Sequence, residues 1–259
     1  MDGGIHAREW ISPATVLYML QQLVEHPGNF PMLKKVDWLL IPLLNPDGYV
    51  YSMTKDRMWR KNRAKPKNAE TSQCQGVDLN RNFGVFRRRR QIIDLEPRGA
   101  SDDPCASNYR GVAPFSEPES RAFRDLILEN KSKIKLYISF HSYGNYLMYP
   151  WSYKSALAND WKDLHDLATS AQSAIFNVTG TRYKIGSTAD IMGLNSGGSD
   201  DWVKGFVGVK YCYTIELPGG GAHGFDLPKN QIRKVVREMF EGVKVFAKFV
   251  EREFVNKGK

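Results

Sequence analysis

His6 and Glu9 lie three residues apart in Gly4-Ile-His6-Ala-Arg8-Glu9-Trp10, and His141 follows the apolar run Leu136-Tyr-Ile-Ser-Phe140. That spacing lets one imidazole and one carboxylate face a single ion from a strand end or a first helical turn. A buried strand delivers its next residue to an open edge, so His141 can join them. Two imidazoles and one carboxylate form the donor set of a catalytic zinc centre, because they leave a fourth position for water. Taken singly, each piece has an ordinary explanation: His-x-x-Glu pairs arise by chance, and a histidine after a strand is usually hydrogen-bonded in a core. Glu216 adds weight. Tyr213-Thr-Ile-Glu216-Leu217 reads as an apolar strand, where an unpaired carboxylate is costly. Glu216 is either ion-paired with an arginine or a general base beside a metal-activated water. Asp78-Leu-Asn80-Arg81-Asn82 sets an amide beside a guanidinium, and Arg60 sits in Met58-Trp-Arg60-Lys61.

Strands and helices must position these groups. Ser12 to Glu25 reads as a helix, with Ser12 as cap and Pro13 in the first turn. Val36 to Leu44 reads as a strand ended by an Asn45-Pro-Asp-Gly48 turn. Residues 52 to 114 read mostly as loop. Ser116-Glu-Pro-Glu119 resembles a capping box before a helix to about Asn130. Strands are expected at Lys133 to Phe140 and Lys210 to Leu217, and helices at Trp161 to Phe176 and from Ile232 to Phe246. The alternation predicts an α/β fold with a mixed, mostly parallel central sheet and helices on both faces. Active sites in such folds gather at strand ends, as His141 and Glu216 do.

Length and composition allow one large domain with a sizeable core: 259 residues, 42% hydrophobic and 25% charged. No apolar run reaches the length of a membrane span, so no membrane partner is expected. No signal peptide is visible at Met1-Asp-Gly-Gly4. The net charge is +9, and Arg87 to Arg90 supply four of those charges. No stacking pattern accompanies that run, so it reads as a solvated loop and no nucleic-acid partner is expected. Cys74 and Cys105 flank a loop-like stretch and could pair in an oxidising compartment, whereas Cys212 lies in an apolar strand. Asn130-Lys-Ser and Asn177-Val-Thr are glycosylation acceptors if the chain is secreted.

Together the segments resemble the zinc metallocarboxypeptidases of the pancreatic A/B type. The matching motifs run in order from Gly4 to about Phe254: Gly-Ile-His6-Ala-Arg8-Glu9-Trp, Asn45-Pro-Asp-Gly-Tyr49, Met58-Trp-Arg60-Lys, Val77-Asp-Leu-Asn80-Arg81-Asn82, Ile138-Ser-Phe-His141-Ser142-Tyr143, Ser196-Gly-Gly-Ser-Asp200-Asp201-Trp202 and Thr214-Ile-Glu216-Leu. The resemblance implies that His6, Glu9 and His141 hold one Zn²⁺ per chain. It implies that Glu216 moves the proton of the attacking water and that Arg60 stabilises the oxyanion. Asn80 and Arg81 would grip the terminal carboxylate of a peptide or protein, a fit suited to a planar guanidinium. Arg8, Ser142 and Tyr143 would line the substrate cleft, and Cys74 would pair with Cys105. Asp200 takes the position at the base of the specificity pocket. With Ser152 it implies B-type preference for C-terminal Lys or Arg, since an apolar side chain would leave the carboxylate unpaired.

Three departures accompany the match. Gly193 stands where the family carries a mobile tyrosine. The stretch Val85 to Pro97 is longer and more basic than usual. The family's front strands, signal and propeptide are missing before His6, so the chain reads as a single catalytic domain, 1–259, lacking its N-terminal segment. His6 is therefore expected on a frayed terminus. The expectation is an exopeptidase that is secreted in its full-length form and monomeric. The rival readings are a truncated or non-catalytic relative, and a zinc amidohydrolase acting on small acylated amino acids.

Overall fold

The computed structural model describes residues 1–65, 74–87, 91–93 and 98–256. Six strands are named among them: β1 (Val85–Arg87), β2 (Gln91–Ile93), β3 (Leu136–Ser142), β4 (Tyr146–Tyr149), β5 (Lys184–Ser187) and β6 (Tyr211–Leu217). The helices are α1 (Ile11–Glu25), α2 (Phe30–Lys35), α3 (Pro46–Thr54), α4 (Pro118–Glu129), α5 (Trp161–Thr179), α6 (Thr188–Met192), α7 (Ser199–Trp202) and α8 (Lys229–Val250). The central sheet has the order β3-β6-β4-β5. β3 pairs with β6 in parallel, β6 with β4 antiparallel, and β4 with β5 in parallel. This is the mixed sheet expected. β1 and β2 form a separate antiparallel pair, while the rest of the basic run, Arg88 to Arg90, lies outside the described residues.

The two faces of the sheet divide the labour, because side chains alternate along a strand. Ile138 and Phe140 of β3 and Tyr213, Ile215 and Leu217 of β6 pack under α1, α5 and α8 in the larger core. Tyr137 and Cys212 point to the other face, where Phe123 of α4 and Trp202 of α7 fill a second core. Continuing that alternation, Ser139 and His141 share the second face with Thr214 and Glu216. Trp202 is fully buried and meets Phe115 edge-on at 5.5 Å and Phe206 stacked at 5.8 Å. Such ring pairs add about 0.5–1.5 kcal/mol each beyond their area. They anchor α7, which carries Asp200.

Several local expectations are corrected. Met1 to Gly4 is not frayed: Asp2 N donates to Ile138 O (3.0 Å) and Gly3 N to Ile41 O (2.9 Å), so the segment is held on both sides. Val36 to Leu44 forms no named strand; among the described residues it makes one isolated bridge, Asp2 to Ile41, because its pairing is with the short opening segment. Asn45-Pro-Asp-Gly48 is the first turn of α3, not a loop, since Asn45 Oδ1 accepts from Gly48 N at 3.0 Å and caps the helix. Ser12 lies inside α1 and spends its hydroxyl on β3, donating to Phe140 O and accepting from Gly4 N (2.9 Å). Ser116 does not cap α4, because its Oγ donates to the Glu117 carboxylate at 2.7 Å. β3 starts at Leu136 because residues 130–134 close a turn off α4, and it runs through His141 to Ser142. α5 continues three residues past Phe176, to Gly180 at φ +73°.

Candidate metal centre and substrate cleft

His6, Glu9 and His141 meet on the α4/α7 face although 132 residues separate Glu9 from His141. Their donor atoms all lie within 4.8 Å of one another, and all three residues are buried. His6 Nδ1 is 2.7 Å from Glu9 Oε1, His141 Nδ1 is 3.1 Å from Glu9 Oε2, and the two Nδ1 atoms are 3.2 Å apart. The far nitrogens explain why these atoms converge. His6 Nε2 donates to Asp78 Oδ1 at 3.2 Å. Ser139 Oγ donates to Asp2 Oδ1 at 2.8 Å and so accepts from His141 Nε2 at 3.1 Å. With both Nε2 atoms protonated, both Nδ1 lone pairs face the Glu9 carboxylate. Three electron-rich donors aimed at one buried point repel unless a cation sits there, so the residues present fit a Zn²⁺ ion. Burial opposes charge on His141, but its bond to Glu9 wins and pushes its pKa up to about 9.

Asp78 carries more than its motif position suggested. Besides orienting His6, its Oδ2 accepts from Arg60 Nε at 2.9 Å and pairs with Nη2 at 2.9 Å. Burial would raise the Asp78 pKa; Arg60, then His6, hold it well below the usual carboxylate range. Such partners typically hold metal affinity by 10–100-fold. Asp78→Asn is therefore expected to weaken zinc binding by roughly 10- to 100-fold, read by competition with a metallochromic chelator. Unchanged affinity would leave Asp78 a mere neighbour. Asp2 and Ser139, which hold His141, were also not singled out in the sequence. The register of Asp2 against Ser139, two residues before His141 on the same face, is the signal that identifies them.

Glu216 stands beside His141 in the β3–β6 register. It is buried and its Oε2 has no partner. Burial, then the nearby Glu9 carboxylate, raises its pKa to about 8. The ion-pair explanation of Glu216 is thereby weakened: no salt bridge to it is present among the described residues, although Arg60 lies near enough to lower its pKa. Arg60 Nη1 approaches His6 Nδ1 at 3.3 Å and Glu9 Oε1 at 3.8 Å.

A second group lies on the same cleft. Arg81 uses Nε on Gly99 O (2.8 Å) and Nη1 on Asn80 O (2.9 Å), while Nη2 has no partner among the described residues. Asn80 Oδ1 accepts from Ser199 N at 3.0 Å, and its Nδ2 is likewise uncommitted. Disulfide Cys74–Cys105 closes the loop that bears Asp78, Asn80 and Arg81. Gly197, at φ +82°, lets the Ser-Gly-Gly loop meet Arg81, since a Cβ there would fall 2.2 Å from Arg81 O. A Cβ on Gly198 would lie 2.9 Å from Asp200 Oδ1, 3.6 Å from Ser152 Oγ and 3.9 Å from Asn80 Oδ1, which places those three around one point. Asp201 is the structural acid of the pair: it accepts from Ser152 N and Tyr153 N at 3.0 Å and from the Ser152 hydroxyl. Asp200, its neighbour, is buried with Oδ2 unpartnered.

The remaining residues form the outer wall. Ser142 N donates to Glu9 Oε2 at 3.2 Å. Tyr143, 47% exposed, meets Phe225 edge-on at 5.0 Å, and the Arg8 guanidinium lies 4.2 Å from the same ring. Gly193 ends α6 at φ +84° with open space where a side chain would begin.

Three converging buried donors with an unpartnered carboxylate oxygen beside them, at strand ends of a mixed α/β sheet, fit a metal-dependent hydrolase. The chain belongs to the zinc carboxypeptidase family, whose model matches residues 1–242. It is 48% identical to carboxypeptidase B of Astacus astacus over 97% of this chain and 80% of that protein. It is 39% identical to human carboxypeptidase B2 over 97% of this chain, but spans only 58% of that protein's length. The structure of bovine thrombin-activatable fibrinolysis inhibitor in complex with tick carboxypeptidase inhibitor superposes with a TM-score of 0.87 at 39% identity, covering 97% of this chain and 81% of that one.

Proposed function

We propose that the chain is the catalytic domain of a zinc-dependent exopeptidase that releases the last residue of peptides and proteins, preferring Lys or Arg. The observation that carries this reading is the buried Asp200 carboxylate, whose Oδ2 has no partner, near the uncommitted donors of Asn80 and Arg81. Asn80 Nδ2 and Arg81 Nη2 would take the terminal carboxylate, and Asp200 with Ser152 would take a cationic side chain. A substrate gripped at both points presents its last peptide bond to the metal cluster. Bound by His6, Glu9 and His141, Zn²⁺ would supply Lewis acidity to a water and to the scissile carbonyl. Glu216 accepts a proton at Oε2 as the carbon–oxygen bond forms, then returns it to the leaving amine as the carbon–nitrogen bond breaks. Arg60, fixed by Asp78, offers positive charge to the oxyanion. Arg8, Ser142 and Tyr143 would hold the preceding residues of the substrate. The disulfide suits an extracellular setting, and the catalytic unit is proposed to work as a monomer.

The test is direct. Purified protein should contain one zinc per chain, release Lys from peptides ending in Lys faster than Phe from matched peptides, and lose that activity on chelation until zinc is restored. Hydrolysis of small acylated amino acids with no action on peptides would favour an amidohydrolase. Zinc binding without any hydrolysis would mark a non-catalytic relative.

A further inference from the structure

We propose that Asn177 is a site of N-linked glycosylation and that its glycan covers an apolar turn at the end of α5. The inference rests on the extracellular reading above. Asn177-Val178-Thr179 is an acceptor triplet on the last turn of α5. Asn177 is exposed, and its side-chain amide makes no hydrogen bond among the described residues. Phe176 and Val178 on either side are 36% and 46% exposed. Adjacent large apolar side chains in water are an association hazard that a bulky hydrophilic cover removes. The Arg182 guanidinium lies 4.4 Å from the Phe176 ring, and Val178 stays 46% exposed. Thr179 faces the other way: its hydroxyl bonds the buried Glu238 carboxylate and Thr181 Oγ1, fixing the turn under the acceptor.

The second triplet, Asn130-Lys131-Ser132, differs. Asn130 is partly buried, and its Nδ2 donates to Leu126 O at 2.9 Å at the end of α4. It also forms part of a groove wall with Ile127, Lys133 and Ile134, where an attached sugar would compete with packed side chains. The structure therefore selects Asn177 over Asn130.

The donor is an oligosaccharide carried on a polyprenyl diphosphate. Asn177 Nδ2 forms a bond to the anomeric carbon, the anomeric carbon–oxygen bond to phosphate breaks, and the lipid diphosphate leaves. Nδ2 gives up one proton in the step. No residue of the catalytic cleft lies on α5, so the modification leaves hydrolysis alone.

The chain should be secreted from cultured animal cells behind a secretion leader and mapped by mass spectrometry after peptide:N-glycosidase treatment. The expected result is one glycan, with Asn177 converted to Asp on its removal. Asn177→Gln should run at the deglycosylated position, Asn130→Gln should run with the wild type, and kcat/KM should be the same for all three. Removing the glycan from folded protein should raise light scattering, and Phe176→Gln with Val178→Thr should suppress that rise. Secreted protein with Cys74–Cys105 formed and Asn177 unmodified, or modified at Asn130 instead, overturns the site. Unchanged scattering overturns the covering role. Free thiols at Cys74 and Cys105 in protein bearing the Asn177 glycan would instead count against the extracellular reading while leaving the site intact.

Discussion

Glu216→Gln is expected to lower kcat by at least ~10²-fold, the usual scale of general acid–base catalysis, with zinc content unchanged. The substitution keeps the shape of the side chain and removes only its ability to take a proton. Among the described residues Glu216 Oε2 has no partner and no salt bridge to Glu216 is present, so the change breaks no ion pair there. The β3–β6 ladder is a backbone contact and is indifferent to the change. Burial, then Glu9, raises the Glu216 pKa, in the direction that lets a carboxyl hold a proton before returning it. Because Glu216 is not among the three converging donors, zinc binding gives an independent readout. Turnover unchanged at full zinc loading would remove Glu216 from the mechanism. Loss of zinc together with turnover would make it part of the metal centre instead.

The outlines of this site were legible because catalysis demands unusual residues in apolar settings. A carboxylate in Tyr-Thr-Ile-Glu-Leu and a histidine after Ile-Ser-Phe contradict the strands around them, and that conflict survives translation into three dimensions. The supporting acids were not legible. Asp2, Ser139 and Asp78 are short polar residues of ordinary kinds, and what makes them matter is a partner 72 or 137 positions away in the chain. The cap assignments failed for the same reason. A serine hydroxyl before a helix can bond its own turn, yet Ser12 reaches β3, 128 residues on. Local pattern states what a residue offers, and the fold decides who accepts. Asn45-Pro-Asp-Gly48 shows the converse ambiguity: those residues suit a turn and the start of a helix equally, and the structure chooses the helix.

Fold and chemistry meet in the two-residue period of β3 and β6. One set of side chains, Ile138, Phe140, Ile215 and Leu217, is committed to the larger core, so the register cannot slip by one residue without burying His141 and Glu216 under α1 and α8. The cost of exposing that core is what holds His141 and Glu216 on the opposite face. The disulfide closes the loop that bears Asn80 and Arg81.

Asp200→Ile is expected to reverse the preference from C-terminal Lys toward C-terminal Phe or Leu. Removing one partner of a buried charge pair costs about 3–5 kcal/mol. That corresponds to roughly 10²- to several thousand-fold in relative kcat/KM for the Lys substrate. An apolar floor also welcomes the side chains that an unpaired carboxylate rejects, so the two effects add in the ratio. Asp200→Asn separates charge from shape: it should lose the Lys preference without gaining the Phe preference. The pH dependence follows from the same pair. Burial pushes both the Asp200 and Asp201 carboxyls up, and Asp200 pushes Asp201 further. Hydrogen bonds favour the charge of both, from Thr214 and backbone amides at Asp200 and from Ser152 and Tyr153 at Asp201, so the proton retained at lower pH belongs to the pair. Raising the pH removes that proton, while a substrate lysine stays charged up to about 10. The ratio of Lys to Phe cleavage should therefore climb with pH in the wild type and stay flat in Asp200→Asn. A wild type that already prefers Phe, or a ratio unmoved by either substitution, would show that Asp200 is no more than a second acid beside Asp201.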